Sequence, residues 1–205
     1  MNNDCIIRVE QKQDHRAVEE LTREAFWNVY RPGCFEHYLL HCFRDHPDFV
    51  PELSLVLEQN GAILGHIMYA RSVLELDGGG TLPIMTFGPV SVHPDHRGKG
   101  FARLLLDRSM ELAAIAHRVP ALAITGDLGL YGRFGFVKGK EIGIRYAEDP
   151  EADYFLVKEL QPGALAGITA SYRDPAGYIV SPEEAEQFDR TFPPKVKEVR
   201  PGQLP

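Results

Sequence analysis

Apolar and polar positions alternate in short blocks that divide the chain into elements. Cys5 to Glu10 carries Ile6, Ile7 and Val9 and reads as a strand. Asp14 then stands as the expected N-cap of a helix through Phe26, with Val18, Leu21, Ala25 and Phe26 on one face. Pro32-Gly33 interrupts the pattern, and a second helix is expected from Phe35 to Arg44. Glu52 to Gln59 alternates as a strand, Asn60-Gly61 is a strong hairpin signal, and the return strand is long, from Ala62 to Leu76. After the turn Asp77-Gly78-Gly79-Gly80 come a strand from Leu82 to His93 and a helix from Gly98 to His117. A strand from Pro120 to Thr125, a helical turn from Asp127 to Arg133 and a strand from Phe136 onward follow.

A helical pair, an antiparallel hairpin and then strand–helix–strand predict a mixed α/β (α+β) sheet. The composition changes after Lys158, where Pro and Gly recur. The expected division is therefore a main domain over 1–158 and an extension over 159–205. Leu165, Ile168, Tyr172, Tyr178, Ile179, Val180, Phe188 and Phe192 are too many apolar residues for a solvated segment, so the extension is expected to be ordered and packed on the core. Within it, Ser181-Pro182-Glu183-Glu184 reads as a capped helix start.

Charge and cysteine content narrow the function classes. The net charge of −7 argues against a general nucleic-acid binder and is compatible with a cationic or amine substrate. Three cysteines, Cys5, Cys34 and Cys42, read as reduced thiols. The first residues carry no secretory signal, and no apolar run approaches the ~18 residues of a membrane span, so a cytoplasmic protein with no membrane partner is expected.

The chemistry concentrates between Phe87 and Phe136. Arg97-Gly98-Lys99-Gly100-Phe101-Ala102 joins a strand to a helix, where glycines admit a ligand to the backbone and a helix start offers free N–H groups. Such a turn can cradle a pyrophosphate; it can equally be a tight turn with no ligand. It is not a P-loop, since Lys99 is followed by Gly100. It is not a dinucleotide fingerprint, since Arg103 stands where a third glycine belongs. Upstream, Gly88-Pro89 suggests a bulge or a strand parting from its neighbour, or else an edge strand.

The stretch from Gly88 to Pro94 followed by Arg97-Gly98-Lys99-Gly100-Phe101-Ala102 resembles motif A, R/Q-x-x-G-x-G/A, of the GCN5-related N-acetyltransferase (GNAT) superfamily, with matches at Arg97, Gly100 and Ala102. Gly126-Asp127 and then Tyr131-Gly132-Arg133-Phe134-Gly135-Phe136 are similar to a second signature of that family, in a bacterial branch with poorly defined substrates. The resemblance spans about residues 5 to 158. It implies a central, mostly antiparallel mixed sheet flanked by helices, with splayed parallel strands holding acetyl-coenzyme A. It implies that the amides from Arg97 to Ala102 (Arg97, Gly98, Lys99, Gly100, Phe101, Ala102) bind the coenzyme pyrophosphate. Val90, Ser91 and Val92 would pair with the pantetheine arm, and the N–H of Val90 or Val92 would polarise the thioester carbonyl. Tyr131 matches the general acid, its alternative being core packing beside Phe134 and Phe136. No carboxylate lies on the strand Ile84 to Gly88, leaving Asp127 or water as base; Asp127 also reads as a helix cap or as the group that binds the substrate ammonium.

Cys34, His37, His41, Cys42 and His46 form a further cluster, but no zinc spacing fits and the residues between them look like helix packing. No metal is expected, and the resemblance implies direct transfer, not a cysteine intermediate. The expected partners are acetyl-coenzyme A and a small amine, and a homodimer is left open. The alternatives are a protein N-acetyltransferase and a non-catalytic module that senses coenzyme A.

Overall fold

The computed structural model describes residues 5–203. Its strands are β1 (Cys5–Val9), β2 (Leu55–Gln59), β3 (Ala62–Leu76), β4 (Thr81–Val92), β5 (Ala121–Thr125), β6 (Val137–Lys138), β7 (Ile144–Tyr146), β8 (Phe155–Glu159) and β9 (Ala170–Tyr172). Its α-helices are α1 (His15–Phe26), α2 (Glu36–Phe43), α3 (Phe101–Ile115), the single turn α4 (Leu128–Tyr131) and α5 (Pro182–Asp189). Hydrogen bonds join the strands in the order β1-β2-β3-β4-β5-β8-β6, while β9 pairs with β3 and β7. The mixed α/β class is thus as expected. The chain forms two compact units: 1–68 with 89–106 and 176–205, and 69–88 with 107–175.

In the first unit, β1 and β2 pair antiparallel with Ile7 opposite Leu57, and β2 pairs with β3 through the Asn60-Gly61 hairpin. Both hairpin residues have positive φ, 54° and 78°, the combination that a two-residue turn needs to match strand twist. Val18, Leu21, Leu40, Phe43, Leu55, Leu57 and Leu105 are buried here. A polar network lies among them. Arg44 bonds Glu10 at 2.7 Å and Glu19 at 2.6 Å, and Ser54 donates to Glu10 at 2.6 Å. From the C-terminal stretch, Ser181 caps α5 by accepting the Glu184 N–H, as its sequence signature anticipates.

In the second unit, β5 lies parallel to β4 with Met85 opposite Leu122, and β8 runs antiparallel to β5. Antiparallel β9 adds to β3 with Leu74 opposite Tyr172. Leu74, Ile84, Ala123, Phe155, Val157 and Tyr172 belong to its core, where the Phe155 and Tyr172 rings stack at 5.1 Å.

Several boundaries differ from the sequence reading. Asp14 precedes α1 but does not cap it: its carboxylate accepts the Gln11 N–H at 2.7 Å and binds Arg8. Residues Pro51–Leu53 form a 3-10 turn, so β2 begins after them. Helix α3 begins at Phe101, later than Gly98, because Gly98 and Gly100 hold φ of 76° and 85°, outside helical space. The strand expected from Phe136 is only Val137–Lys138, and β7, β8 and β9 complete that sheet region. The residues after Lys158 do not stay together, since 159–175 group with the second unit and 176–205 with the first. Ile179 is 81% exposed and contributes nothing to a core.

Candidate functional site

Strand β4 is not an edge strand, because β3 and β5 flank it in the hydrogen-bonded order. Gly88 adopts φ of 141°, which side-chain-bearing residues rarely reach, and Pro89 brings no N–H. The paired register between β4 and β5 lies upstream of this point, at Met85. Beyond Pro89, Ser91 is fully buried and shares a 2.8 Å hydroxyl–hydroxyl bond with Thr22 of α1. Val90 and Val92 alternate with it and are half-buried. The strand ends where the His93 N–H donates to the Leu64 carbonyl at 2.9 Å.

The loop that follows is built by short-range bonds. His93 Nδ1 accepts the Asp95 N–H, and Pro94–His96 makes one 3-10 turn. The Arg97 guanidinium turns back and donates to the Ala25 carbonyl at 2.6 Å, fastening the loop to the last turn of α1. Lys99 Nζ lies 3.4 Å from His96 Nδ1. A Cβ at Gly98 or Gly100 would meet nothing within 4 Å, so open space lies before both glycines. Phe101 is buried and seats the start of α3, whose first i+4 bond runs from Leu104 N–H to Gly100 carbonyl at 3.1 Å. Ala102 is half-buried in that first turn, where helix N–H groups lack intrahelical acceptors. Positive-φ glycines, a cationic lysine and a helix start make a surface suited to an anion.

In the second unit, Asp127 caps α4 by accepting the Gly129 N–H at 2.9 Å, and its carbonyl accepts the Tyr131 N–H at 2.9 Å. Cap is therefore what its carboxylate does here. The ring of Tyr131 packs against Phe87 and Phe136, at centroid distances of 5.9 and 5.8 Å. Phe87 also touches Tyr69, whose buried phenol pairs with Ser109 at 3.0 Å and is pushed up by its burial. Tyr131 thus packs as its core reading requires, yet it keeps partial exposure.

The Cys/His cluster is dispersed by its partners. Cys34 Sγ lies 3.3 Å from His37 Nδ1, and His37 Nε2 lies 3.2 Å from Asp189 of α5. His41 faces Glu19 at 3.1 Å, and the His46 ring stacks on Phe43 at 4.9 Å. Burial pushes the Cys34 thiol well up and His37 down to about 4, so both are neutral at pH 7. Among the described residues, no group of three or more His, Cys, Asp or Glu is arranged to hold a metal ion.

One feature had no signal in the sequence. A cavity of about 350 Å³ in the first unit is lined by Trp27, Cys34, Phe35, Glu183, Glu186 and Asp189, among others. Its walls come from the α1–α2 connection and from α5, segments far apart in the chain. Among the described residues, no helix is long and apolar enough to cross a membrane.

The model of the acetyltransferase (GNAT) domain family matches residues 6–139. An uncharacterized N-acetyltransferase of Escherichia coli strain K12, YhbS, is 27% identical over 165 residues, covering 80% of this chain and 92% of that protein. The crystal structure of YhbS in complex with CoA superposes with a TM-score of 0.73 at 24% identity, over 87% of this chain and 93% of that one. A GNAT family acetyltransferase of Brucella melitensis in complex with acetyl-CoA gives a TM-score of 0.69 at 24% identity, over 87% of this chain and all of that one (100%).

Proposed function

The chain belongs to the acetyltransferase (GNAT) domain family and is an N-acetyltransferase, and from that premise we propose that it moves the acetyl group of acetyl-coenzyme A directly to the primary amine of a small molecule. The observation that carries the coenzyme assignment is the loop at the head of α3: two glycines at positive φ with open space before them. The amides of Arg97, Gly98, Lys99, Gly100, Phe101 and Ala102 take the pyrophosphate, and the backbone of Val90, Ser91 and Val92 takes the pantetheine arm. Titration with acetyl-coenzyme A, followed by calorimetry, tests this; absence of binding would overturn it.

The amine nitrogen attacks the thioester carbon as a neutral base. Negative charge develops on the carbonyl oxygen, where an N–H of Val90 or Val92 stabilises it. The carbon–sulfur bond breaks, the thiolate takes a proton from the Tyr131 phenol, and water returns a proton to the phenolate. A phenol of pKa about 10 stays protonated at neutral pH and can still serve a thiolate whose acid has pKa about 8.5. The proton lost by the amine passes to water or to Asp127, whose carboxylate retains lone pairs beyond its cap bond.

A small amine is favoured by the cavity near the C-terminal end of α1. Its volume suits a small ligand, and its walls include Trp27, Phe35 and the carboxylate of Glu183, while Glu186 is paired with Lys197 and Asp189 with Arg23. Turnover with a mixed amine library, read as free thiol release, tests this. Strand β4 carries no carboxylate, which leaves the base to Asp127 or water. We also propose that residues after Lys158 belong to the acetyltransferase fold and are not a detachable tail, a reading supported by the Arg23–Asp189 pair and by β9.

A further inference from the structure

The ring of Tyr131 lies on the bare α-carbon of Gly126. A Cβ at position 126 would stand 2.6 Å from Cε2 and 2.9 Å from Cδ2 of that ring. Carbon atoms in good contact sit about 3.5–4.0 Å apart, so a side chain and the ring cannot share this space. Gly126 is not among the residues with positive φ, so its backbone is one any residue adopts. The glycine is therefore required here for room alone. Its α-carbon is held in place, because the Gly126 N–H donates to the Tyr154 carbonyl at 2.7 Å, beside β8.

The ring's other neighbours are equally fixed. Phe87 and Phe136 are buried and meet each other edge-to-face at 5.9 Å. Below, the main chain of Tyr131 is set by its bond to the Asp127 carbonyl and by the Asp127 cap on α4. Backbone and ring plane are thus both determined, and with them the direction of the phenol.

We propose that Gly126 is a positioning residue for acetyl transfer: its missing side chain sets the ring plane of Tyr131 and so aims the hydroxyl at the departing sulfur. The proposal rests on Tyr131 being the acid. Gly126→Ala forces the ring to move by an ångström or so, and misplacement of that size costs a rate about 10–100-fold. The expected result is that loss in kcat with acetyl-coenzyme A affinity nearly unchanged, beside a lowered melting temperature from the overpacked ring. In a Tyr131→Phe background, Gly126→Ala should cost nothing further, since no phenol remains to be aimed. A merely structural glycine would lower kcat equally in both backgrounds, and that outcome overturns the proposal.

A second readout separates this proposal from the acid assignment. In protein labelled with 3-fluorotyrosine, the Tyr131 fluorine resonance is identified by its loss in Tyr131→Phe. It should shift in Gly126→Ala. An unmoved resonance overturns the proposal whatever the kinetics. A moved resonance with wild-type turnover in both Gly126→Ala and Tyr131→Phe removes Tyr131 from the chemistry, and the catalytic role of Gly126 with it. Should Gly126→Ala not fold, Phe136→Leu disturbs the same ring through another of its contacts, and its loss in kcat should likewise vanish in the Tyr131→Phe background.

Discussion

The guanidinium of Arg97 donates to the backbone carbonyl of Ala25 at 2.6 Å, so the side chain that opens the glycine loop is spent on α1 and not on a ligand. The acceptor is one of the last carbonyls of that helix, a group with no intrahelical donor and with the negative end of the dipole behind it. Charge-assisted bonds of this kind contribute about 1.5–3 kcal/mol. Arg97→Met should therefore weaken acetyl-coenzyme A about tenfold or more by releasing the loop, with kcat at saturation preserved. Calorimetric titration checks this; an unchanged dissociation constant would mean that the loop keeps its shape without the tether.

Gly100→Ala carries two effects, backbone strain at φ of 85° and a methyl group in the open space before the loop. Gly202 has the same φ of 85° and nothing near its Cβ, so Gly202→Ala incurs the strain alone, on the order of 1–2 kcal/mol. Both variants should lose similar stability to heat, and only Gly100→Ala should lose coenzyme affinity. Equal affinities in the two would show that the space before Gly100 is not the phosphate path.

Tyr131→Phe should lower kcat on the order of 10–1000-fold and leave acetyl-coenzyme A binding in place, because the phenol acts only as the sulfur departs. Single-turnover rates measured with the true acceptor decide this. Undiminished rates would return Tyr131 to the packing role that Phe87 and Phe136 already give it.

Glu10 should make stability depend on acid. Burial pushes its pKa up, but the hydrogen bond from His66, the charges of His66 and Arg44, and the Ser54 hydroxyl outweigh this and hold it well below its ordinary 4.5. A group whose folded pKa is depressed stabilises the protein fully above its unfolded pKa and loses that contribution as pH falls toward the folded one. Below about pH 4.5 the unfolded chain binds a proton that the native chain refuses, so stability drops by about 1.4 kcal/mol per pH unit from this group. Urea unfolding at pH 6, 4 and 3 should show this slope in the wild type. Glu10→Gln should start less stable and fall less steeply.

Asp189 holds Arg23 by two bonds of 2.6 and 3.3 Å, and Arg23 is almost wholly buried. Removing one partner leaves the other charge buried and alone, at a cost of about 3–5 kcal/mol. Asp189→Ala should therefore be strongly destabilised in urea, and Arg23→Ala combined with it should add much less than its separate cost. Strict additivity of the two would show that they do not act as a pair.

The sequence by itself determined the features whose physics is confined to a few neighbouring residues. Asn60-Gly61 makes its hairpin because only such residues take positive φ twice in succession, and Ser181-Pro182 starts α5 because cap and fixed proline φ lie within one turn. The glycine loop from Arg97 to Ala102 and the cap at Asp127 were legible for the same reason. The periodic helices and the long strand β3 were also written in the pattern of apolar positions. What only the tertiary structure decided are the meetings between distant segments. Nothing near Arg97 specifies the Ala25 carbonyl, nothing near His37 specifies Asp189, and β9 finds β3 with no local cue. Gly126 belongs to both classes. The sequence shows a glycine before a cap, which suggests a turn, whereas its ordinary φ and the ring of Tyr131 above it show that room, not conformation, is what the position requires. Such choices follow from which surfaces the folded backbone brings within contact distance, and short-range preferences along the chain carry no record of that.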